Sequence, residues 1–406
     1  MEIRSTTEKD LDLFVDTVHT AFGLVRNAPD EDGGGVLWAA YEMDRGVLAV
    51  APDGRPIGTA GTYSFELTLP GQVVVPAPGV TAVGVLPTHR RQGVLTGMMR
   101  KQLTGLRERG EFLSVLLASE ATIYGRFGYG PATYTGRLTV QRHRGSFHTP
   151  RSPRAAADRP SGSVDVLRRA ECGALLEQVY DRYRRTQPGA LSRPTHWWAR
   201  GAGQPPVSRA PRYVAVHRDA AGVPDGYASY ALADGTLTVD EIITGDDAVF
   251  TALAQFALGH DLVTQVVFKH VPPDHPLRWQ LADFRAGEAT GTTDWLWVRL
   301  LDVPRALTSR GWFADGELVL DVEDPFLGEH GRYLLSVRDG EAECVPTDAE
   351  ADLSLDIRDL GAVYLGGTLP STLVRAGHVA AHSPDAATRA DALFRAERAP
   401  HCLHWF

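Results

Sequence analysis

The chain has 406 residues, 43% of them hydrophobic and 22% charged, with a formal net charge of −9. That length allows two or three domains with real cores, and the acidic balance, with no dominant basic tract, argues against nucleic acid as the main partner and suits a cationic one. Cys172, Cys344 and Cys402 are far apart and form no CxxC, which predicts neither a disulfide framework nor a zinc ribbon but a reducing, cytoplasmic setting. The first five residues lack the apolar stretch of a signal peptide. The most apolar long run, 248–268, is broken by Gln255, His260, Asp261 and Gln265, so no membrane span is expected.

Residues 2–4 read as a short strand and 8–22 as a helix, with Leu11, Phe14, Val15, Val18 and Phe22 on one face, Thr7 and Asp10 placed as a capping box, and Gly23 as the stop. An acidic loop over 27–35 precedes a second helix carrying Trp38. Strands are expected at 46–51, 57–69 and 73–75, punctuated by Pro52-Asp53-Gly54 and Pro70-Gly71, and then at 81–86, which Pro87 closes. In 94–109 the positions Val94, Leu95, Met98, Met99, Leu103 and Leu106 recur at three- and four-residue steps, which predicts a helix ending at Gly110. The apolar run 112–117 reads as a buried strand beside it.

Between the strand 81–86 and its helix, residues 90–96 would aim successive backbone N–H groups and the positive end of a helix at one point, and Gly93 is free to take a left-handed conformation. That geometry suits a pyrophosphate; by itself the stretch suits an ordinary basic strand-to-helix turn equally well. It has neither the GK[ST] ending of a Walker loop nor the GxGxxG of a dinucleotide fold.

Residues 142–160, crowded with Arg, Pro, Ser and Ala, read as a connector. Beyond it come a helix at 170–185, strands at 213–217, 227–232 and 237–244, a helix at 248–258 and a strand at 262–268. Three strands, a helix and a strand repeat the earlier order, which implies a duplicated fold. Where the first copy has its basic loop, the second has Thr244-Gly245-Asp246-Asp247, whose carboxylates repel a pyrophosphate. From Trp295 onward, strands at 317–322, 331–337, 342–346 and 351–357 precede helices at 360–366, 368–376 and 384–394, an α+β order.

Arg90-Arg91-Gln92-Gly93-Val94-Leu95 resembles motif A of the GCN5-related N-acetyltransferases, whose R/Q-x-x-G-x-G/A loop binds the pyrophosphate of acetyl-CoA; Leu95 replaces the last small residue. The stretch Ala118-Ser119-Glu120-Ala121-Thr122-Ile123-Tyr124-Gly125-Arg126-Phe127-Gly128-Tyr129-Gly130 is similar to the segment that follows in the Eis (enhanced intracellular survival) branch, where leucine in the loop is normal. The chain's length, three-part layout and terminal Phe406 extend the resemblance over essentially the whole sequence. It implies an α/β and α+β protein of tandem GCN5-related acetyltransferase folds, the second degenerate, followed by a sterol-carrier-protein-like α+β domain. The divisions expected are 1–141 for the acetyl-CoA-binding domain, 142–290 for the atypical copy without a CoA loop, and 291–406 for the last domain, whose end reaches the active site. The family tends to assemble as hexamers, which implies a homohexamer here.

An acetyltransferase must hold a thioester, polarise its carbonyl, take a proton from the attacking amine and give one to the leaving thiolate. By the resemblance, Val83, Gly84 and Val85 would pair with the pantetheine amides, with an N–H near Val85 as oxyanion donor. Arg90, Arg91, Gln92, Gly93, Val94, Leu95 and Thr96 would hold the pyrophosphate, with Ser119 and Glu120 beside the donor. A phenol of pKa ~10 is protonated at neutral pH, which fits Tyr124 as general acid. The family's use of its C-terminal carboxylate as base points to Phe406, whose carboxylate, of aqueous pKa ~3.5, would need an apolar pocket to raise it. Trp38 and Trp405 are expected at an acceptor pocket that takes a cationic amine, aminoglycoside-like or a lysine side chain. His401, Cys402 and His404 fit no closed zinc motif, and no metal is expected. The alternative is a non-catalytic CoA- or lipid-binding protein.

Overall fold

A computed structural model describes residues 1–24, 41–148, 162–199 and 212–406. The expected helix with Trp38 and most of the connector lie outside the described residues.

The first part opens with β1 (Glu2–Ser5) and α1 (Leu11–Phe22), which a turn at Glu8–Asp10 precedes. The capping box forms as expected: the Asp10 carboxylate accepts from the Thr7 N–H at 2.9 Å and also holds the Arg4 guanidinium. Gly23 ends α1 in the left-handed region, its φ being 71°. Then follow β2 (Val47–Val50), β3 (Pro56–Leu69), β4 (Val73–Val85), α2 (Val94–Glu108), β5 (Leu113–Leu117) and the short β6 (Gly130–Pro131). Residues 73–75 and 81–85, expected as separate strands, are one. Pro76 and Pro78 stand two apart, so both missing donors face the same edge. There β4 pairs with β3, and β5 joins only at Gly79 and Val80.

The second part comprises β7 (Tyr134–Gln141), β8 (Gly162–Arg168), β9 (Tyr213–Asp219), β10 (Pro224–Ala233), β11 (Thr236–Ile243), β12 (Gln265–Val271) and β13 (Gly287–Asp294), in the sheet order β13-β7-β12-β11-β10-β9-β8. The helix Asp247–Leu258 joins β11 to β12, and that pair is parallel, as β4 and β5 are around α2. The duplicated order is therefore a duplicated topology.

Strand membership does not follow the divisions at 141 and 291. The strand β7, expected in the first domain, lies between β13 and β12 of the second sheet, and β14 (Leu296–Leu300), expected in the third, lies between β5 and β6 of the first. Each strand thus completes a neighbouring sheet. All five residues of β14 are buried, and its apolar residues Leu296, Trp297, Val298 and Leu300 record burial on both faces without recording which partner supplies it.

The third part is a sheet of β15 (Gly316–Asp324), β16 (Glu329–Arg338), β17 (Glu341–Pro346), β18 (Leu353–Asp356) and β19 (Ala380–Ala381), with helices that include Ile357–Val363 and Ala386–Phe394. One apolar core runs without a break from Phe14 and Leu48 through Val298 to Leu320 and Phe394. Across it the fully buried Arg299 is paired with Asp324, a contact that fixes how β14 meets β15. Among the described residues, no helix is long and apolar enough to cross a membrane.

Candidate active site

Beyond Val80, β4 runs on for five residues while its pairing with β5 has ended, so the two parallel strands part and one edge of β4 is left open. A bulge at this point adds to the divergence. Ala82 has a φ of 48°, and the pairing with β3 shifts between Thr59 and Gly61 while the Thr59 hydroxyl donates to the Ala82 carbonyl at 2.9 Å.

The loop after β4 combines a turn at Pro87–His89 with two left-handed residues, Arg91 at φ 62° and Gly93 at φ 81°. Helix α2 starts directly after Gly93, which supplies no side-chain cap; the first intrahelical bond runs from Gly97 N–H to Gly93 O at 3.0 Å. The amides of Val94, Leu95 and Thr96 are therefore free of intrahelical partners, at the positive end of the helix. Alternating backbone handedness followed by a bare helix start is a cradle for an anion.

The arginines of the loop have different jobs. The Arg90 guanidinium donates to the Val85 carbonyl at 3.3 Å and to the Ala21 carbonyl at 3.0 Å, tying the loop to β4 and to the end of α1. Gln92 donates to the Thr88 carbonyl at 3.2 Å and so braces the loop from within. Arg91 is exposed, at the rim.

These elements surround a cavity of about 830 Å³. Its wall includes residues 83–85 on the open edge, Arg90, Arg91 and Gly93 in the loop, residues 94–96 at the helix start, and Ser119, Glu120 and Tyr124 after β5. Of the loop and strand residues singled out from the sequence, Gln92 alone is not in the wall. Sequence reasoning missed Ala21, Phe22, His89, Ile123 and Arg126, which also line it. The sequence shows Phe22 only as the last apolar residue of the α1 stripe; in the structure it is 53% exposed, which leaves its ring free for the cavity.

Tyr124 ends the short helix Ala121–Tyr124 and is buried beside Tyr129, whose hydroxyl lies 2.8 Å from that of Ser114. Burial pushes the Tyr124 phenol above its usual value, a hydrogen bond with Ser119 offsets part of that rise, and the charge of Glu120 adds to it. The group stays protonated through neutral pH and faces the cavity.

The C-terminus reaches the same seam from the opposite face of the sheet. The Phe406 ring is buried, 4.8 Å from that of Phe65 and edge-on to it, above Gly79. The next β4 residue, Val80, packs with Leu116, Tyr124 and Tyr129, and successive strand residues point to opposite faces. Tyr124 and Phe406 thus flank the point where β4 and β5 part. The tail is held throughout: His401 N–H donates to the Pro188 carbonyl at 2.8 Å, and the Trp295 indole donates to the His404 carbonyl at 3.1 Å. The His404 ring lies edge-on to Trp197, at 4.8 Å. Trp405 is half exposed, and Trp38 lies outside the described residues.

The second copy has no such cradle. Asp246 caps the helix Asp247–Leu258 through its own carboxylate, which accepts from Ala248 N–H at 2.7 Å, and Asp247 is paired with Arg398. Beyond the pairing of β11 with β12, Asp240 binds Arg212 and Lys269, while Glu241 binds the buried Arg193. Among the described residues, no group of three or more His, Cys, Asp or Glu side chains is placed to hold a metal, and the three cysteines are free and buried.

A splayed parallel pair, a bare helix start at its mouth and a buried phenol beside it define an acyltransferase of the GCN5-related (GNAT) type. Models of acetyltransferase (GNAT) domains match residues 2–132 and 189–300, and a sterol carrier protein domain matches 303–403. The chain is 35% identical to the N-acetyltransferase Eis of Mycobacterium tuberculosis over 85% of each chain. An uncharacterized N-acetyltransferase of Streptomyces griseus is 34% identical over 99% of each. The crystal structure of Eis1 from Mycobacterium abscessus superposes with a TM-score of 0.86 at 32% identity, over the full length of both chains. The chain belongs to the Eis family of N-acetyltransferases.

Proposed function

We propose that this enzyme transfers the acetyl group of acetyl-CoA directly to an amine of a cationic acceptor in a ternary complex. The observation that carries the reading is the cavity at the parting of β4 and β5, with an anion cradle at one end and the Tyr124 phenol along its wall. In this scheme the open β4 edge at residues 83–85 pairs with the pantetheine amides. The amides of residues 94–96 hold the pyrophosphate with Arg91, while Arg90, through its two carbonyl contacts, keeps the loop in shape.

The acceptor nitrogen attacks the thioester carbon, the C–S bond breaks, and Tyr124 passes its proton to the departing thiolate. The carboxylate of Phe406, whose ring is seated against that of Phe65, takes the proton that the amine loses. Trp405 and Trp38 are assigned to the acceptor side, and the acceptor to aminoglycoside-like polyamines or lysine side chains. The second copy is assigned no CoA site, its helix start being occupied by Asp246. We assign the assembly as a homohexamer and the compartment as cytoplasmic. A thiol-release assay with acetyl-CoA over aminoglycosides, polyamines and lysine peptides tests the reading: release with at least one supports it, and acetyl-CoA binding without release from any would favour a non-catalytic CoA-binding protein.

A further inference from the structure

The second sheet contains a feature that the acetyl-transfer scheme does not use. Arg137, on β7, stands between two bulged neighbours. On β12, pairing with β7 jumps from Phe268–Leu138 to Val271–Gly136, so Lys269 and His270 together face Arg137. On β13, pairing jumps from Ala289–Leu138 to Gly291–Arg137. Bulges re-aim side chains and open ladders; two of them opposite one residue leave a cleft of about 280 Å³ in the middle of a sheet. Its wall consists of Thr135, Arg137, Lys269, His270, Thr292 and Thr293, with the Gly291 backbone.

The chemistry of this wall is one-sided. Its charged side chains are cationic and the rest of its polar side chains are hydroxyls and an imidazole. Arg137 is exposed and has no ion pair among the described residues. The carboxylate of Asp240 is 3.1 Å from the Lys269 ammonium but is shared with Arg212 at 2.5 Å, so it does not serve Lys269 alone. His270 is pushed down to about 4, by burial first and then by Lys269 and Arg137, opposed by Glu241, and is a neutral donor or acceptor at working pH.

The cleft also touches the supports of the C-terminal tail. Thr135 Oγ1 lies 3.1 Å from His401 Nε2 and 3.5 Å from His270 Nδ1. The His270 ring packs edge-on to Trp295 at 4.8 Å, and Trp295 holds the His404 carbonyl, two residues before Phe406.

We propose that the cleft around Arg137 and Lys269 is a binding site for a small oxyanion, phosphate or carboxylate, and that its occupancy regulates turnover through Thr135, His270 and Trp295, which hold the tail carrying Phe406. The effect on turnover rests on the proposed role of Phe406; the binding does not. A guanidinium and an ammonium across a small cleft make charge-assisted hydrogen bonds to such an ion, with the threonine hydroxyls as additional donors.

Calorimetric titration of the CoA-saturated enzyme with inorganic phosphate and, separately, with acetate tests this, since CoA fills the loop before α2. Saturable binding of at least one is expected, and the tighter of the two names the class. Arg137→Gln is expected to weaken binding about tenfold or more, and Arg137→Lys to recover part of it. No binding of either ion, or equal affinity in Arg137→Gln, would overturn the site. At constant ionic strength, kcat should change saturably with the bound ion while the KM for acetyl-CoA holds, and the change should vanish in Arg137→Gln; an unresponsive kcat would overturn the link to the tail. An enzyme that releases no thiol with any acceptor would refute the proposed function and leave the calorimetric result standing.

Discussion

The rings of Phe65 and Phe406 meet edge-on with centroids 4.8 Å apart, and both cover Gly79, the residue at which β4 begins its pairing with Val115 of β5. This contact seats the last residue of the chain at the seam of the first sheet. Appending one residue after Phe406 moves the carboxylate away without altering the donor cavity. Turnover should fall by about 10²-fold or more, with acetyl-CoA affinity nearly intact by calorimetry. Unchanged kcat would remove this carboxylate from the chemistry.

A methyl group at Gly79 would stand 2.6 Å from a Phe65 ring carbon and 2.8 Å from one of Phe406. Both rings are packed in the core, so Gly79→Ala must displace them. Overpacking of this kind costs about 1–3 kcal/mol, and kcat should drop with the displacement of the tail. Thermal unfolding and steady-state kinetics on the same variant check the pair of effects; an unshifted melting temperature with full activity would contradict the packing.

Tyr124→Phe keeps the ring and its contact with Tyr129 and removes the hydroxyl proposed to protonate the thiolate. The expected result is a fall in kcat of about 10²-fold or more with little change in acceptor KM. Because burial raises the Tyr124 phenol, the wild-type alkaline limb should lie above the ordinary phenol value of about 10. A pH–rate profile that declines below that value would assign the limb to another group.

Gly93 is at φ 81° with open space where a Cβ would stand, so the cost of a side chain there is backbone strain alone. Gly93→Val should leave the fold intact and weaken CoA binding about tenfold or more, from a strain on the order of 1–3 kcal/mol. Circular dichroism together with CoA titration separates loss of the loop from loss of the fold.

Acid should loosen the tail. Burial holds His401 down to about 3 and His270 and His275 down to about 4. Their folded values lie below the unfolded value of about 6.5, so the unfolded chain binds more protons in between, and stability is full above pH ~6.5 and declines as pH falls toward the folded values. Each contributes at most about 1.4 kcal/mol per pH unit over that window. Melting temperatures between pH 7 and pH 4 should fall, and His401→Gln should flatten the decline; a profile level down to pH 4 would contradict the burial of these rings.

Much of the donor side was legible because it is local. Strand, loop, helix and strand from 81 to 117 form one parallel crossover, and apart from Ala21 and Phe22 the residues that line its mouth lie within about forty positions of one another along the chain. Thr7 with Asp10 and the stop at Gly23 were readable for the same reason: a cap is a contact across three or four residues. The loop's arginines were less so. Their cationic character is plain in the sequence, but that Arg90 is committed to the carbonyls of Val85 and Ala21 follows from how α1 packs.

By itself, then, the sequence determined the duplicated order of elements, the glycine-bearing cradle before α2, the phenol at 124 and an apolar, aromatic end at Phe406. The tertiary structure alone decided that β7 and β14 change sheets, that Phe406 arrives over Gly79, that Phe22 borders the cavity, and that two bulges open a cationic cleft around Arg137. The reason is physical. Periodicity and residue type record which face of an element is buried, while the partner that buries it, some hundreds of residues away, is selected by packing of the whole chain.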